Sequence, residues 1–297
     1  MKPPFSLPFF ALPARALWRV TGEDRVRYLN GQTTRDLTLL QPGQSVYGAV
    51  LTGKGKIVGD LFLSATDDAL YLDADLSLRE TLRERLEKFL IADDVTIDDV
   101  TGQFALSRLQ GDGLSGFASK PKEGETLAPV AFVSQRFGVE GVDHWIPLSR
   151  SFPVPFPALP EAEAADLVDR LEIEHGIARW GIEIDAETLP QEVAFDLAGR
   201  GLVYDKGCYV GQETVARIRS IGHVNRRLVR LEQTGGPVDR SPAPLFAAPG
   251  EEAGRLTRLA PFPDGKVRAL GFLKRKFLET PPELKTEADG RTFRVVS

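Results

Sequence analysis

The sequence predicts an α+β fold divided into two or three lobes. Its 297 residues are long for a single hydrophobic core. Residues 45–110 follow a β-β-α-β-β order, the pattern of a helix packed on an antiparallel sheet. After Arg230 the chain breaks into short apolar runs separated by proline and glycine, as a small β-barrel would require.

Taken in order, the opening stretch Pro3 to Leu17 is apolar enough to raise the question of a signal peptide. Pro8 and Pro13 interrupt it, and Leu17-Trp18-Arg19-Val20 alternates like a strand, so it reads as mature protein. Val46 to Leu51 and Ile57 to Ser64 read as strands around a Gly53-Lys54-Gly55 turn, and Leu70-Tyr71-Leu72 follows. The next segment is helical: Ser77 and Glu80 are spaced as a capping box, and Leu78, Leu82, Leu86, Phe89 and Leu90 share a face. Val95-Thr96-Ile97 and Phe104 to Leu109 return to strand character. Lys120 to Glu125 reads as a polar turn and Ser151 to Pro160 as a proline-rich connector. An amphipathic helix runs from Ala162 to His175 with Ala165, Val168 and Leu171 inward, and another from Gly211 to Ser220. Leu245-Phe246, Gly254 to Leu259 and Arg268 to Leu273 supply barrel strands.

Composition removes several classes. A net charge of −5 argues against non-specific binding of nucleic acid or anionic membrane by the whole surface. A single cysteine rules out an intramolecular disulfide framework and fits a reducing compartment, taken here as the cytoplasm. No apolar run approaches the ~20 residues of a membrane span. Gly48 to Lys54 spells Gly-x-x-x-x-Gly-Lys, but Gly55 stands where a P-loop needs Ser or Thr, and a strand follows where it needs a helix. His144, His175 and His223 lie far apart without metal-ligand spacing, and one cysteine cannot close a zinc site. There is no Gly-x-Ser-x-Gly elbow. Whether Cys208 and His223 form a catalytic pair is a matter of spatial geometry that spacing leaves open.

The most informative segment is Lys206-Gly207-Cys208-Tyr209-Val210-Gly211-Gln212-Glu213, which holds that cysteine. It joins a loop to a helix, so the unpaired N–H groups of the helix start and the Lys206 charge are both expected to favour a thiolate at Cys208. The glycines allow tight turning and close approach of a ligand or partner. The competing reading of a lone cysteine is a small buried hydrophobe.

This octapeptide resembles the hallmark of the YgfZ-type folate-binding proteins, relatives of the glycine-cleavage T-protein. Arg25-Val26-Arg27-Tyr28-Leu29-Asn30-Gly31-Gln32-Thr33-Thr34 is similar to that family's amino-terminal segment. Gly48 to Lys56 resembles its next hairpin, and Arg179-Trp180-Gly181 with Leu189-Pro190-Gln191-Glu192 the stretch leading into the cysteine motif. The resemblance implies a cloverleaf: two interlocked α+β domains (residues 1–44 with 151–222, and a ferredoxin-like 45–150) plus a carboxy-terminal β-barrel at 223–297. It also implies tetrahydrofolate, or another reduced folate, in a central site. Glu174 is expected to read the pterin edge by resemblance, with Glu192 and Asp60 as further folate-binding candidates and Arg217 for an anionic folate tail or a partner. Where the T-protein resemblance leads one to expect paired aspartates, this chain has Gly59-Asp60. Loss of a positioned acid or base costs ~10²–10⁴-fold in rate, so the expectation is a binding protein that does not run aminomethyl transfer. The implied function is help in building or repairing iron–sulfur clusters, with indirect effects on tRNA modification. Cys208 would be the reactive thiol or a shared cluster ligand, and since one thiolate cannot hold a cluster, a second chain must supply the rest. A folate-dependent aminomethyltransferase or demethylase is the first alternative. A tRNA-binding protein, resting on Arg217, Arg219, Arg226, Arg227 and Arg230, is the second, although direct nucleic-acid binding is opposed by the overall charge.

Overall fold

The computed structural model describes residues 7–114, 116, 128–149, 157–197 and 200–296. The polar turn expected at 120–125 and most of the proline-rich connector, residues 151–156, lie outside them.

The described chain opens with strands β1 (Phe9–Ala11) and β2 (Arg15–Thr21), then helix α1 (Arg25–Gln32). The hairpin β3 (Ser45–Leu51) and β4 (Ile57–Ala65) follows, then β5 (Leu70–Asp75), helix α2 (Arg79–Glu87) and β6 (Thr96–Asp99). Five of these strands make an antiparallel sheet in the order β3-β4-β5-β2-β6. Both helices cover one face, burying Tyr28, Leu29, Leu78, Leu82 and Leu86 against Trp18, Leu61, Leu63 and Leu72. Each such leucine contributes roughly 1.5–3 kcal/mol of transfer free energy. The expected capping box at Ser77 and Glu80 is not what starts α2. Asp75, the last residue of β5, accepts from the Ser77 N–H at 2.9 Å and its hydroxyl at 2.6 Å, and a 3-10 turn leads into the helix. Phe89, expected inward, is 41% exposed, with the Arg85 guanidinium over its ring.

Strands β7 (Phe104–Gln110), β8 (Val130–Ser134) and β9 (Gly141–Pro147) join β1 in a second antiparallel sheet, β1-β7-β9-β8. Leu17, Tyr71, Phe104, Phe132 and Trp145 fill the space between the sheets. Beside them runs a buried ion chain. Arg108 meets Asp143 at 2.7 Å, Arg136 meets Asp143 at 2.9 Å and Asp73 at 2.6 Å, and Arg15 meets Asp73 at 2.9 Å. The sheets cross the division expected at residues 44 and 45: β1 pairs with β7, and β2 with β5 and β6. Such pairing joins strands remote in sequence and leaves no trace in local periodicity.

Helix α3 (Glu161–His175) ends at Gly176, whose φ of +63° closes it. Its inward face is turned from the expected one. Ala164, Glu172 and Ile173 are buried, Val168 and Leu171 flank them, and Ala165 is exposed. The buried glutamate explains the displacement, because a pattern of apolar residues alone passes over an inward carboxylate. Glu172 is admitted by two arginines, Arg258 and Arg179. Helix α4 (Gln212–Ser220) carries the cysteine motif at its start.

The remaining strands, β10 (Arg226–Gly235), β11 (Ala243–Ala248), β12 (Glu251–Pro261), β13 (Val267–Lys274), β14 (Leu284–Lys285) and β15 (Thr292–Val296), close into a six-stranded barrel. Leu231, Leu245, Leu256, Leu273 and Phe293 fill its interior. A separate core joins the parts: Leu51 and Ile57 from the β3–β4 hairpin, Ile173, Phe195 and Tyr209, and Leu228 and Leu270 from the barrel. No helix among the described residues is long and apolar enough to cross a membrane.

Candidate functional site

Three segments that are far apart in sequence meet around Cys208. Gly211 precedes α4 with φ +89°, and a Cβ there would lie 2.6 Å from the Thr52 carbonyl oxygen in the β3–β4 turn. Gly55, across from it with φ +78°, would place a Cβ 2.9 Å from Thr214. Hairpin and helix start therefore interlock through glycines that no other residue replaces without strain. On the other side, Val210 N–H donates to the Gly31 carbonyl at 3.2 Å, Val203 N–H to the Thr34 carbonyl at 3.0 Å, and the Thr34 hydroxyl to the Gly201 carbonyl at 2.5 Å. Cys208 stands at this junction as a free, exposed thiol, not as a buried hydrophobe.

Lys206 does not act where its place in the sequence suggests. Its side chain is buried, and its ammonium donates to the carbonyls of Asn30 at 2.7 Å, Thr33 at 2.9 Å and Arg35. The Tyr209 ring centroid lies 5.0 Å from Nζ. The lysine thus ties the cysteine loop to the carbonyl end of α1 instead of facing the thiol. Burial pushes the ammonium down to about 8, with Asp36 opposing and Arg35 assisting, so it remains mostly charged at neutral pH. Tyr209 is a core residue with its hydroxyl out of solvent and its acidity lowered by burial. Gln212 turns back so that its Oε1 accepts from the Tyr209 N–H at 3.4 Å, and Glu213 is exposed and paired with Arg217.

Most glycines here have a positive φ or a neighbour that a side chain would strike. Gly31, Gly53 and Gly207 have neither. Gly116 shares that property but sits among undescribed residues. Gly31 touches Val210, Gly53 lies in the turn under Gly211, and Gly207 precedes Cys208. The fold does not require glycine at these three positions, one of them next to Cys208 in the chain and two in the segments against which its loop packs.

A second polar site lies on the face of the first sheet opposite α2. The Tyr47 hydroxyl donates to Asp60 Oδ2 at 2.8 Å, while Asp60 Oδ1 is out of solvent without a partner. Burial raises the Asp60 pKa, and the Tyr47 hydrogen bond pulls it back. Tyr47 in turn touches Phe62, at 4.9 Å between centroids, and Phe195, at 5.1 Å. Gly59 faces the other way: a Cβ there would sit 3.0 Å from Leu78 and Leu82. The glycine that reads as a missing acid therefore belongs to the apolar face under α2. Asp60 is the member of the pair that faces away from it. Residue type alone does not single out Tyr47, although the hairpin register carries the signal. Ala49 pairs with Asp60, which puts residue 47 diagonal to Asp60 on the same face.

The other candidates are scattered. Glu174, at the end of α3, lies 3.1 Å from Arg268 and lines a cleft of about 150 Å³ with Ile173, Arg230, Glu232 and Val296. Glu192 is buried. Its Oε2 accepts from Leu189 N–H at 3.3 Å and pairs with Arg226 at 3.3 Å, so the carboxylate holds a turn to the barrel. Arg217 is exposed on α4. The arginine cluster is engaged as well: Arg219 with Asp205, Arg227 with Asp196, and Arg230 with the Glu174 carbonyl. No group of three or more His, Cys, Asp or Glu side chains suited to a metal occurs among the described residues.

Comparison with known proteins agrees with the fold. No family model matches the chain. It is 28% identical over 242 residues to the mitochondrial iron-sulfur cluster assembly factor IBA57 homolog of Mycosarcoma maydis, covering 74% of this chain and 56% of that protein. It is 27% identical over 286 residues to the tRNA-modifying protein YgfZ of Cronobacter sakazakii, covering 89% of this chain and 83% of that one. The crystal structure of the glycine cleavage system aminomethyltransferase T from Bartonella henselae superposes with a TM-score of 0.76 at 21% identity, over 98% of this chain and 85% of that chain. In sequence order, motifs and architecture the chain is similar to the YgfZ-type proteins, and its fold is that of the T-protein of glycine cleavage.

Proposed function

We propose that this chain is a folate-binding accessory protein for iron–sulfur cluster assembly or repair, acting in the cytoplasm, and that Cys208 is its chemical handle. The observation that carries the reading is the exposure of Cys208 where three family-like segments converge. Its likeness to an iron-sulfur cluster assembly factor and to a tRNA-modifying protein supports the same context. The bare backbone at Gly31, Gly53 and Gly207 suits close approach by a second chain, which must supply the remaining thiolates. Effects on tRNA modification would then run through client enzymes, since the local arginines are engaged within the fold.

For the folate, the unpaired Asp60 Oδ1 fits a donor-bearing heterocycle, because a buried acceptor without a donor is costly. Asp60, oriented by Tyr47, would hold the pterin edge, and Glu174 remains a candidate at the neighbouring cleft. At about 150 Å³ that cleft is smaller than the ~300–1,000 Å³ of typical ligand pockets, so Glu174 would meet only part of the ligand. A bound reduced folate would supply a carrier for one-carbon units. One observation favours the second reading, folate-dependent one-carbon transfer: Asp60 is present and faces away from the α2 core.

Titration with tetrahydrofolate tests the proposal. Binding should be detectable below millimolar concentration, and Asp60→Asn should weaken it by about 1.5–3 kcal/mol as a charged hydrogen bond is lost. No binding removes the folate reading. Methylene-tetrahydrofolate formation from a lipoyl-bound aminomethyl substrate, abolished by Asp60→Asn, would promote the transferase. In cells lacking the protein, Cys208→Ser should fold but fail to restore iron–sulfur enzyme activity; full rescue would end the thiol's role.

A further inference from the structure

We propose that Lys206 is a positioning residue: its ammonium is an internal cation that clamps the cysteine loop onto the carbonyl end of α1 and so fixes where Cys208 is presented. The proposal rests on the reading of Cys208 as the functional thiol. The three acceptors come from one short stretch, Asn30, Thr33 and Arg35, at and just beyond the last turn of α1. Carbonyls in a last helical turn lack intrahelical donors and carry the negative end of the helix dipole. An ammonium has three donors and no acceptor, so it matches three carbonyls one for one. The face of the Tyr209 ring closes another side of the cage. No carboxylate hydrogen-bonds to this ammonium among the described residues; its binding shell is backbone and a ring.

Position along the chain turns this cage into a device for the thiol. Lys206 stands two residues before Cys208, and Val210 N–H, two residues after it, donates to Gly31 in α1. The exposed thiol is therefore suspended between two tethers that end on the same helix. Remove the cation and three carbonyls lose their donor at once, leaving the Val203 and Val210 hydrogen bonds and, at the loop's upstream end, those of the Thr34 hydroxyl to Gly201 and of Arg35 to Arg200. The site also predicts its own rescue, because what it requires is a small cation of the right length, not a lysine backbone.

The test uses Lys206→Ala in the full chain, with amide hydrogen exchange as the readout. Exchange at Val203 and Val210 should accelerate by at least about tenfold, the effect of losing one charged hydrogen bond, while amides of β10 stay protected. Propylammonium at tens of millimolar should restore protection, and 1-propanol should not. Unchanged exchange at both valines in the folded variant would overturn the clamp, as would equal restoration by the alcohol. If the variant loses protection everywhere, acylation of the unmodified protein decides. Lys206 should be spared by an amine-reactive reagent that labels exposed Lys54 and Lys88, and labelling as fast as Lys54 would overturn the proposal. These readouts do not use the thiol. Full cellular rescue by Cys208→Ser would remove the functional reading yet leave the clamp measurable, and unchanged exchange would remove the clamp yet leave Cys208 in place.

Discussion

Two of the regions that bury cations in this protein neutralise them by different means. Between the sheets, Arg108 and Arg136 meet the carboxylates of Asp143 and Asp73, and Arg15 closes the far end. At the cysteine loop, Lys206 meets three carbonyls and a ring. The electrostatic consequences differ at the centre of each. Burial opposes the charge in both and still lowers Arg108, but two paired carboxylates drive the Arg136 guanidinium above its ordinary range, whereas Lys206 is pushed down to about 8. Full charges bind mutually and lock the two sheets together. Backbone dipoles hold a cation more weakly, yet they come from the main chain of α1 and need no carboxylate near the thiol. One arrangement serves the scaffold and the other the loop that exposes Cys208.

The comparison is broken most severely at the ion chain. Arg136→Met would leave Asp73 with Arg15 and Asp143 with Arg108 and the Ser134 hydroxyl. Removing one partner of a buried pair costs about 3–5 kcal/mol, and the urea midpoint should fall accordingly. The Arg136 guanidinium also lies 3.8 Å from the Phe62 ring centroid, next to Tyr47. The same variant should therefore perturb the tetrahydrofolate binding proposed at Asp60. A midpoint within error of the parent would show that the chain is not what holds the sheets.

Glycines sharpen the comparison at the cysteine loop. Gly211→Ala forces a side chain into a positive φ, a strain of about 1–3 kcal/mol, and drives a Cβ to 2.6 Å from the Thr52 oxygen. It should destabilise the protein and loosen the hairpin contact. Gly31→Ala should do the reverse. Gly31 lies within α1 with open space beside it, and alanine is favoured over glycine in a helix by about 0.5–1 kcal/mol. Thermal denaturation of the two variants should shift in opposite directions. If Gly31→Ala stabilises the fold yet fails to restore iron–sulfur enzyme activity in cells, the bare backbone there serves a partner; full rescue would remove that argument.

Strands and helices are legible in the sequence because they are local. The hairpin at 46–64, the leucine face of α2 and the barrel runs all follow from spacing. Groups whose partners are remote are not. Lys206 is near Cys208 along the chain, so it reads as an electrostatic neighbour, but a long side chain carries the charge back to residues 30–35. Glu192 reads as a folate candidate by resemblance, but its carboxylate is engaged by Leu189 N–H in its own turn and by Arg226 from the barrel. Gly59 reads as a lost acid until the sheet's alternation turns it toward Leu82. The face of α3 is displaced by Glu172, whose arginine partners Arg179 and Arg258 follow it in the chain, the second of them far away in the barrel. Residue type and period report what a segment can do. Which partner it meets is decided by topology.

The smallest expected effect concerns protons and sits away from both cation sites. His144 lies opposite Ser107 in the β7–β9 ladder with its ring edge-on to Phe9, and its Nδ1 is out of solvent without a partner. Burial lowers its pKa, against the pull of Asp143. The sign follows directly. Above the unfolded value of about 6.5 both states are neutral, and His144 gives stability no pH dependence. As pH falls through that value the unfolded chain takes up a proton first, so stability is lost until the folded pKa is reached. His144→Gln should flatten the slope of unfolding free energy measured from about pH 7 to about pH 5.5, the range in which histidine titrates. The slope should not vanish, since burial lowers the pKa of His175 as well. An identical slope in the variant would mean that His144 protonates equally easily in both states, and that its lone nitrogen is reached by water.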